Sequence, residues 1–198
     1  EEIDERCLRI LKAKEWAGLA NYKAIETKGL IEKLNPIENE VLSRELADNS
    51  ITLIQNQDNI LPFKRLDSIK MVYLNIGGTA KNEFYTSLNN YTKIDEIKIP
   101  RALSKESEIK VLKELENYDR IIIGFHRTSN SPKRNFGITR QAINMHNKLG
   151  ESKELITVIF GNPYVLESFG NQDNTNAIIV GYQDTKYTRK SAGELIFG

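Results

Sequence analysis

LITVIFGNPYVLESF, residues 155 to 169, is the stretch on which the fold turns. Leu155 to Phe160 form a nearly unbroken apolar run, and Gly161-Asn162-Pro163 ends it before a helix-like pattern begins. A run this short, bounded by turn residues, reads as a strand covered on both faces. IIIGF at 121–125 and AIIVGY at 177–182 have the same character. Further strands are expected over Lys70–Ile76 and Ile94–Ile99, with the IIIGF strand opening at Arg120. Helical patterns at about 81–91, 105–117, 137–149, 163–169 and 185–196 separate or follow them.

Strands alternating with helices imply right-handed crossovers. The expected fold class is therefore α/β: a doubly wound, mostly parallel sheet sandwiched by helices, flavodoxin-like, preceded by a helical linker. Ser50–Ile54 is also β-prone, and QNQDNILPF at 55–63 reads as a polar turn and a Pro-terminated sheet edge.

Upstream, Ile3, Cys7, Ile10 and Leu11 recur at helical spacing among charges, which predicts an amphipathic helix over about 2–15. Such a helix needs a partner surface, and Cys7, on its apolar side, is expected to be a buried thiol. Asn35, Pro36 and Glu38 read as the N-cap, first position and capping-box position of a second helix, with Ile37, Val41, Leu42 and Leu46 as its buried stripe. The boundary between linker (1–34) and sandwich (35–198) is placed there. The chain opens on Glu1-Glu2 already inside helical periodicity, and is expected to be a piece of a longer polypeptide.

With 28 Lys and Arg against 27 Asp and Glu, no bulk charge draws the chain to nucleic acid, and no basic run is interleaved with aromatics. A single cysteine excludes an internal disulfide and a Cys-rich zinc site. No run of 18 apolar residues marks a membrane span. No cofactor and no metal are expected.

In a doubly wound sheet, functional candidates lie just past the carboxyl ends of the strands. Gly77-Gly78-Thr79 follows the first, yet matches neither dinucleotide nor P-loop spacing and reads as a turn into a helix. HRTSNSPKRNFG, 126–137, is the most polar loop; His126 stands where a proton carrier would be wanted and Arg127 where an anion or hydroxyl ligand would be. A receiver-type phospho-acceptor needs an Asp in place of His126. A histidine at a strand end also serves structurally, bonded within the protein. Asn162 reads first as a cap before Pro163 and second as a ligand contact. His146, on a helix without a metal partner at i+3 or i+4, is expected to be exposed or half-buried. No serine sits in a nucleophile elbow, and no two carboxylates can be paired across a scissile bond.

Four blocks, in order, resemble the carboxyl-terminal part of glycoside hydrolase family 3. They are DERCLRILKAKEWAGL (4–19), ELADNSITLIQNQDNILPF (45–63), VIFGNPYVLESF (158–169) and AIIVGYQDTKYTRKSAGELIFG (177–198). The Gly-Asn-Pro-Tyr of the third is similar to the family's β-N-acetylhexosaminidase branch. The resemblance implies a sandwich domain packed on a (β/α)₈ barrel of the same parent chain, and a carbohydrate substrate. It further implies retaining hydrolysis of terminal β-linked N-acetylglucosamine, in a protein that some bacteria export. The family's nucleophilic Asp and this branch's His-containing acid/base loop are absent, so no catalytic residue is assigned and the chain alone is expected to be inactive. His126, Arg127 and Asn162 are the candidates for facing substrate or barrel. The alternative is a stand-alone flavodoxin-like binding module without hydrolase activity, which would cover the first helix's apolar stripe itself.

Overall fold

The computed structural model describes residues 2–64, 66–170 and 172–198. They form two compact units, Glu1–Glu40 and Val41–Gly198.

The first unit holds helix α1 (Glu2–Trp16), a 3₁₀ turn at Leu19–Asn21 and the short helix α2 (Leu30–Leu34). α1 begins with Glu2, Asp4 and Glu5 and carries Lys14 in its last turn, charges that suit the helix dipole. Its amphipathic pattern is real, but its expected burial is not found. No residue of α1 is buried; Ile3 is 75% exposed, Leu11 60%, and Cys7 is an exposed free thiol. Periodicity records that a helix needs a partner, and nothing within this unit supplies one. Asn35 does not act as the expected N-cap. Its side-chain and backbone N–H groups both donate to the Ile31 carbonyl, at 2.9 and 3.0 Å, closing α2.

Helix α3 (Ile37–Ser50) follows, and here too the expected buried stripe is corrected. Ile37, Val41, Leu42 and Leu46 are all more than half exposed, and only Ala47 is buried. The helix is held instead by polar ties: Arg44 pairs with Asp48 and with Glu194 of the last helix.

The second unit is built on six strands: β1 (Thr52–Asn56), β2 (Met71–Ile76), β3 (Asp95–Ile99), β4 (Arg120–Phe125), β5 (Glu154–Ile159) and β6 (Ala177–Val180). Their order is β1-β6-β5-β4-β2-β3. β2 to β6 are mutually parallel and β1 runs antiparallel along β6 as an edge, so the doubly wound, mostly parallel sheet is as expected.

Helices α4 (Glu83–Asn89), α5 (Lys105–Leu115), α6 (Arg140–Gly150) and α7 (Lys186–Leu195) connect and flank the strands. Asn82, Ser104, Thr139 and Thr185 each accept a backbone N–H at a helix start, the capping that fixes where each crossover turns. The last expected connecting helix, 163–169, is a 3₁₀ run that buries Val165 and Phe169.

Because strand residues alternate between faces, the core has two layers. Leu74, Ile76, Ile121, Ile123, Leu155 and Ile159 pack with Leu115 of α5 and Ile143, Met145 and Leu149 of α6. Tyr73, Ile122, Ile156, Val158 and Ile179 pack on the other face with Phe84 and Leu88 of α4 and Ala192 of α7. Each such aliphatic side chain, removed from water, contributes about 1.5–3 kcal/mol. Arg120 enters this core paired: it bonds Glu154 Oε2 at 2.6 and 2.8 Å and lies 4.1 Å above the Phe63 ring.

His146 departs from its expected exposure. It is 3% exposed, wedged between Phe125 and Phe169, because Thr157, the one polar residue of the run Leu155–Phe160, offers its hydroxyl at 2.8 Å from Nε2. Nδ1 meets Asn147 Oδ1 at 3.0 Å. Burial pushes its pKa down to about 4, against the raising influence of Asn147.

Candidate functional site

The chain leaves β2 toward β3 and returns on the opposite side of β2 to form β4, so the topological switch point lies between the carboxyl ends of β2 and β4. Gly77-Gly78 emerges from one and His126-Arg127 from the other.

His126 is drawn inward. Its side chain is 1% exposed and stacks on Phe160 at 4.6 Å between ring centroids. Nδ1 lies 3.0 Å from Asp184 Oδ1 and Nε2 lies 2.6 Å from the Tyr73 hydroxyl. A carboxylate can only accept, so Nδ1 carries the proton and donates to Asp184, while the Tyr73 hydroxyl closes off Nε2. Burial raises the Tyr73 pKa far above its usual range, which keeps that phenol a donor. Asn82 Nδ2 donates to the Tyr73 oxygen at 3.3 Å. At the other end Asp184 also accepts the backbone N–H of Arg127 at 3.0 Å and the Arg189 guanidinium at 2.7 Å, and Arg189 in turn pairs with Glu83 at 2.7 Å. Burial alone would raise the Asp184 pKa, but the hydrogen bond from His126 and its charge interaction with that ring, with the hydrogen bonds from the Arg127 N–H and Arg189, hold it at about 2. This connected polar chain ties β2, the β4 end, the β6–α7 loop, α4 and α7 together. Its chemical capacity is positional, since both ring nitrogens of His126 are occupied inside the protein.

Arg127 is different. Its backbone takes the left-handed region, φ 51°, held by the Asp184 bond, and its side chain is exposed. It lines an open cleft of about 490 Å³ together with Gly77, Gly78, Lys98, Pro100 and Arg101. Arg101 Nη1 donates to the Arg127 carbonyl at 3.1 Å. Gly77 has φ 78°, and a Cβ there would stand 2.8 Å from Arg101 Cγ, so only glycine lets the arginine stem lie across the turn.

Asn162, half-buried, caps the 3₁₀ run Pro163–Phe169 by accepting the Tyr164 N–H at 3.0 Å. The preceding Gly161 is required by a close approach: a Cβ would overlap Thr128, whose hydroxyl donates to the Phe160 carbonyl at 2.7 Å. The polar 126–137 loop is thereby pinned to the β5 end, and Phe136 anchors its far side in the core. His126 and Arg127 thus share one strand end with opposite orientations, and Asn162 stands at the end of the neighbouring strand. Sequence reasoning missed Tyr73, Asp184, Arg189 and Arg101. Asp184 and Arg101 were accessible to it, being just past the ends of β6 and β3.

Among the described residues, no group of three or more His, Cys, Asp or Glu side chains could hold a metal ion, and no helix is long and apolar enough to cross a membrane.

No family model matches the chain. Over 101 residues it is 33% identical to a probable β-glucosidase I of Emericella nidulans, a match covering 45% of this chain and 11% of that protein. Its structure is similar to that of a glycoside hydrolase family 3 β-N-acetylglucosaminidase from Paenibacillus sp. str. FPU-7, with TM-score 0.70 and 13% identity over 99% of this chain and 37% of the other. It is also similar to the β-glucoside phosphorylase BglX, with TM-score 0.71 and 21% identity over 98% of this chain and 36% of that one. The chain therefore spans little more than a third of these solved proteins.

Proposed function

We propose, from the likeness of its fold to part of a glycoside hydrolase family 3 protein, that this chain is the carboxyl-terminal, supporting, non-nucleophile domain of a retaining β-glycosidase. The observation that carries the reading is the likeness over 99% of this chain to about a third of a β-N-acetylglucosaminidase, together with the absence here of the family's catalytic motifs. The nucleophile and the acid/base group then belong to a barrel domain in the same polypeptide. In that arrangement the second domain closes one side of a sugar cleft, excludes water and offers hydrogen-bond donors. Arg127 and Asn162 are the contacts proposed for this chain. His126 positions Arg127: Asp184 binds the imidazole with one oxygen and the Arg127 N–H with the other.

Ile3, Leu8, Ile10 and Leu11 of α1 are all more than half exposed and are not covered within their own unit, which supports a docked role for this helix. For the sugar, the Gly161-Asn162-Pro163-Tyr164 segment favours terminal β-N-acetylglucosamine. The sequence match to a probable β-glucosidase favours glucose itself.

Chromogenic β-N-acetylglucosaminide and β-glucoside, each given to the 198-residue chain and to a longer polypeptide with its upstream region, test the reading. The long form is expected to turn over one of the two, preferentially the N-acetylglucosaminide, and the short chain neither. Arg127→Ala or Asn162→Ala in the long form is expected to raise KM or lower kcat with folding unchanged. Turnover by the short chain at the rate of the long one defeats the proposal.

A further inference from the structure

The cleft bordering the switch point has a charge that the proposed supporting role does not require. We propose that it is an oxyanion-binding site, in which Arg101, Arg127 and Lys98 hold a phosphate or carboxylate group, free or carried on a sugar. The inference goes beyond the glycosidase reading and does not rest on it.

Three features carry it. The first is uncompensated charge. The chain as a whole is nearly neutral, at a formal net charge of +1, yet three cationic residues line this one opening and none of its lining residues is acidic. Arg44, Arg120 and Arg189 are each held by carboxylates, whereas among the described residues none of Lys98, Arg101 and Arg127 makes an ion pair. The second is preorganisation. Arg101 is fixed along its stem by the Gly77 turn and at Nη1 by the Arg127 carbonyl, and the Arg127 backbone is fixed by Asp184, itself locked to His126 and Arg189. Ordering both arginine bases in advance lowers the entropic cost of closing them on a ligand. The third is place and size. The opening lies at the carboxyl ends of β2 and β3, lined by Arg127 from the β4 side and so bordering the switch point where doubly wound sheets take ligands, and its volume of about 490 Å³ suits a small molecule.

The backbone narrows the chemistry further. The Gly77 N–H is spent on the Ile99 carbonyl and the Gly78 N–H on Asn75 Oδ1, so no Gly-rich amide cradle faces the opening as in a nucleotide loop. Recognition falls to guanidinium forks, which match the paired oxygens of a carboxylate or phosphate.

The test is ¹⁵N-correlation NMR of the 198-residue chain at low ionic strength, titrated with inorganic phosphate, glucose 6-phosphate, glucuronate and, as neutral control, glucose. Saturable shifts at Gly77, Gly78, Arg101 and Arg127 are expected with the anions and not with glucose. Arg101→Gln and Arg127→Gln are each expected to weaken binding about tenfold, as for loss of a charged hydrogen bond. Lys98→Gln, which leaves both the Gly77 turn and the Asp184 contact intact, is expected to weaken it less, and added salt to weaken it in every form. Glucose 6-phosphate or glucuronate binding more tightly than inorganic phosphate identifies a sugar-borne group; equal affinities identify the free anion. Absence of saturable binding by all three anions, or binding that all three folded variants retain undiminished, overturns the proposal. Because no turnover is measured, failure of the glycosidase reading leaves this result standing.

Discussion

Helices α1 and α6 carry the same kind of message in sequence, an apolar stripe among charges, and meet opposite fates. α6 buries Ala142, Ile143, Met145, His146 and Leu149 against the sheet, while α1 buries nothing. The difference teaches that amphipathic spacing states a demand and not its fulfilment. α6 is supplied by a sheet face whose residues arrive from four strands, whereas the described residues of the unit containing α1 offer it only a 3₁₀ turn, the short α2 and the first turn of α3. A helix left in this condition contributes little to stability from its apolar side chains, because they are as wet folded as unfolded.

The largest expected effect follows from that contrast. Leu149→Ala removes a fully packed side chain from α6 and is expected to cost about 2–5 kcal/mol of unfolding free energy. Leu11→Ala in α1 of the same chain is expected to change it by no more than about 0.5 kcal/mol. Urea unfolding of both variants, followed by circular dichroism, reads the two values side by side. Comparable losses would break the contrast by showing that α1 is packed after all. A loss at Leu11 that appears only in a longer polypeptide would sharpen it, by locating the missing partner upstream.

A second effect isolates the buried histidine of α6. Its folded pKa, about 4, lies below the usual 6.5, so the folded protein refuses a proton that the unfolded chain accepts. Stability from this group is complete above pH 6.5, falls as pH drops through the window from 6.5 to 4, and levels off below it. The loss across that window is on the order of 3 kcal/mol. Urea midpoints at pH 7, 5.5 and 4 for the parent and for His146→Gln check it. The parent is expected to lose more than the variant over the window, and parallel curves would remove His146 as the cause.

These two helices also mark how far the sequence could be read. The strands were legible because coverage on both faces leaves near-continuous runs such as IIIGF, and the crossover helices because helical patterns recur between them at about 81–91, 105–117, 137–149 and 185–196; that Asn82, Ser104, Thr139 and Thr185 cap them emerged from the structure. What was hidden depended on partners far along the chain. His126 was correctly placed at a strand end, but the groups that occupy its ring lie 53 residues before it, at Tyr73, and 58 after it, at Asp184. His146 reads from its helix as exposed or half-buried, and only Thr157 of the next strand shows why it is buried. The exposed stripes of α1 and α3 were misread for the converse reason: local spacing shows which face is apolar and is silent on whether anything covers it.

The smallest effect in energy tests the contrast most directly, through Cys7. The thiol sits on the exposed α1, so a water-soluble maleimide is expected to label it in the folded 198-residue chain at a rate within a few-fold of that in urea, allowance made for the reagent's own dependence on denaturant. Labelling should leave the unfolding midpoint unchanged, since no packed contact is displaced. In a longer polypeptide that buries the stripe of Ile3, Cys7, Ile10 and Leu11, the same reaction should slow by at least about tenfold, because it then waits on local opening of the covered helix. Equal labelling in both forms would mean that the stripe stays open in the longer protein too, and that α1 is not the element by which this domain is held.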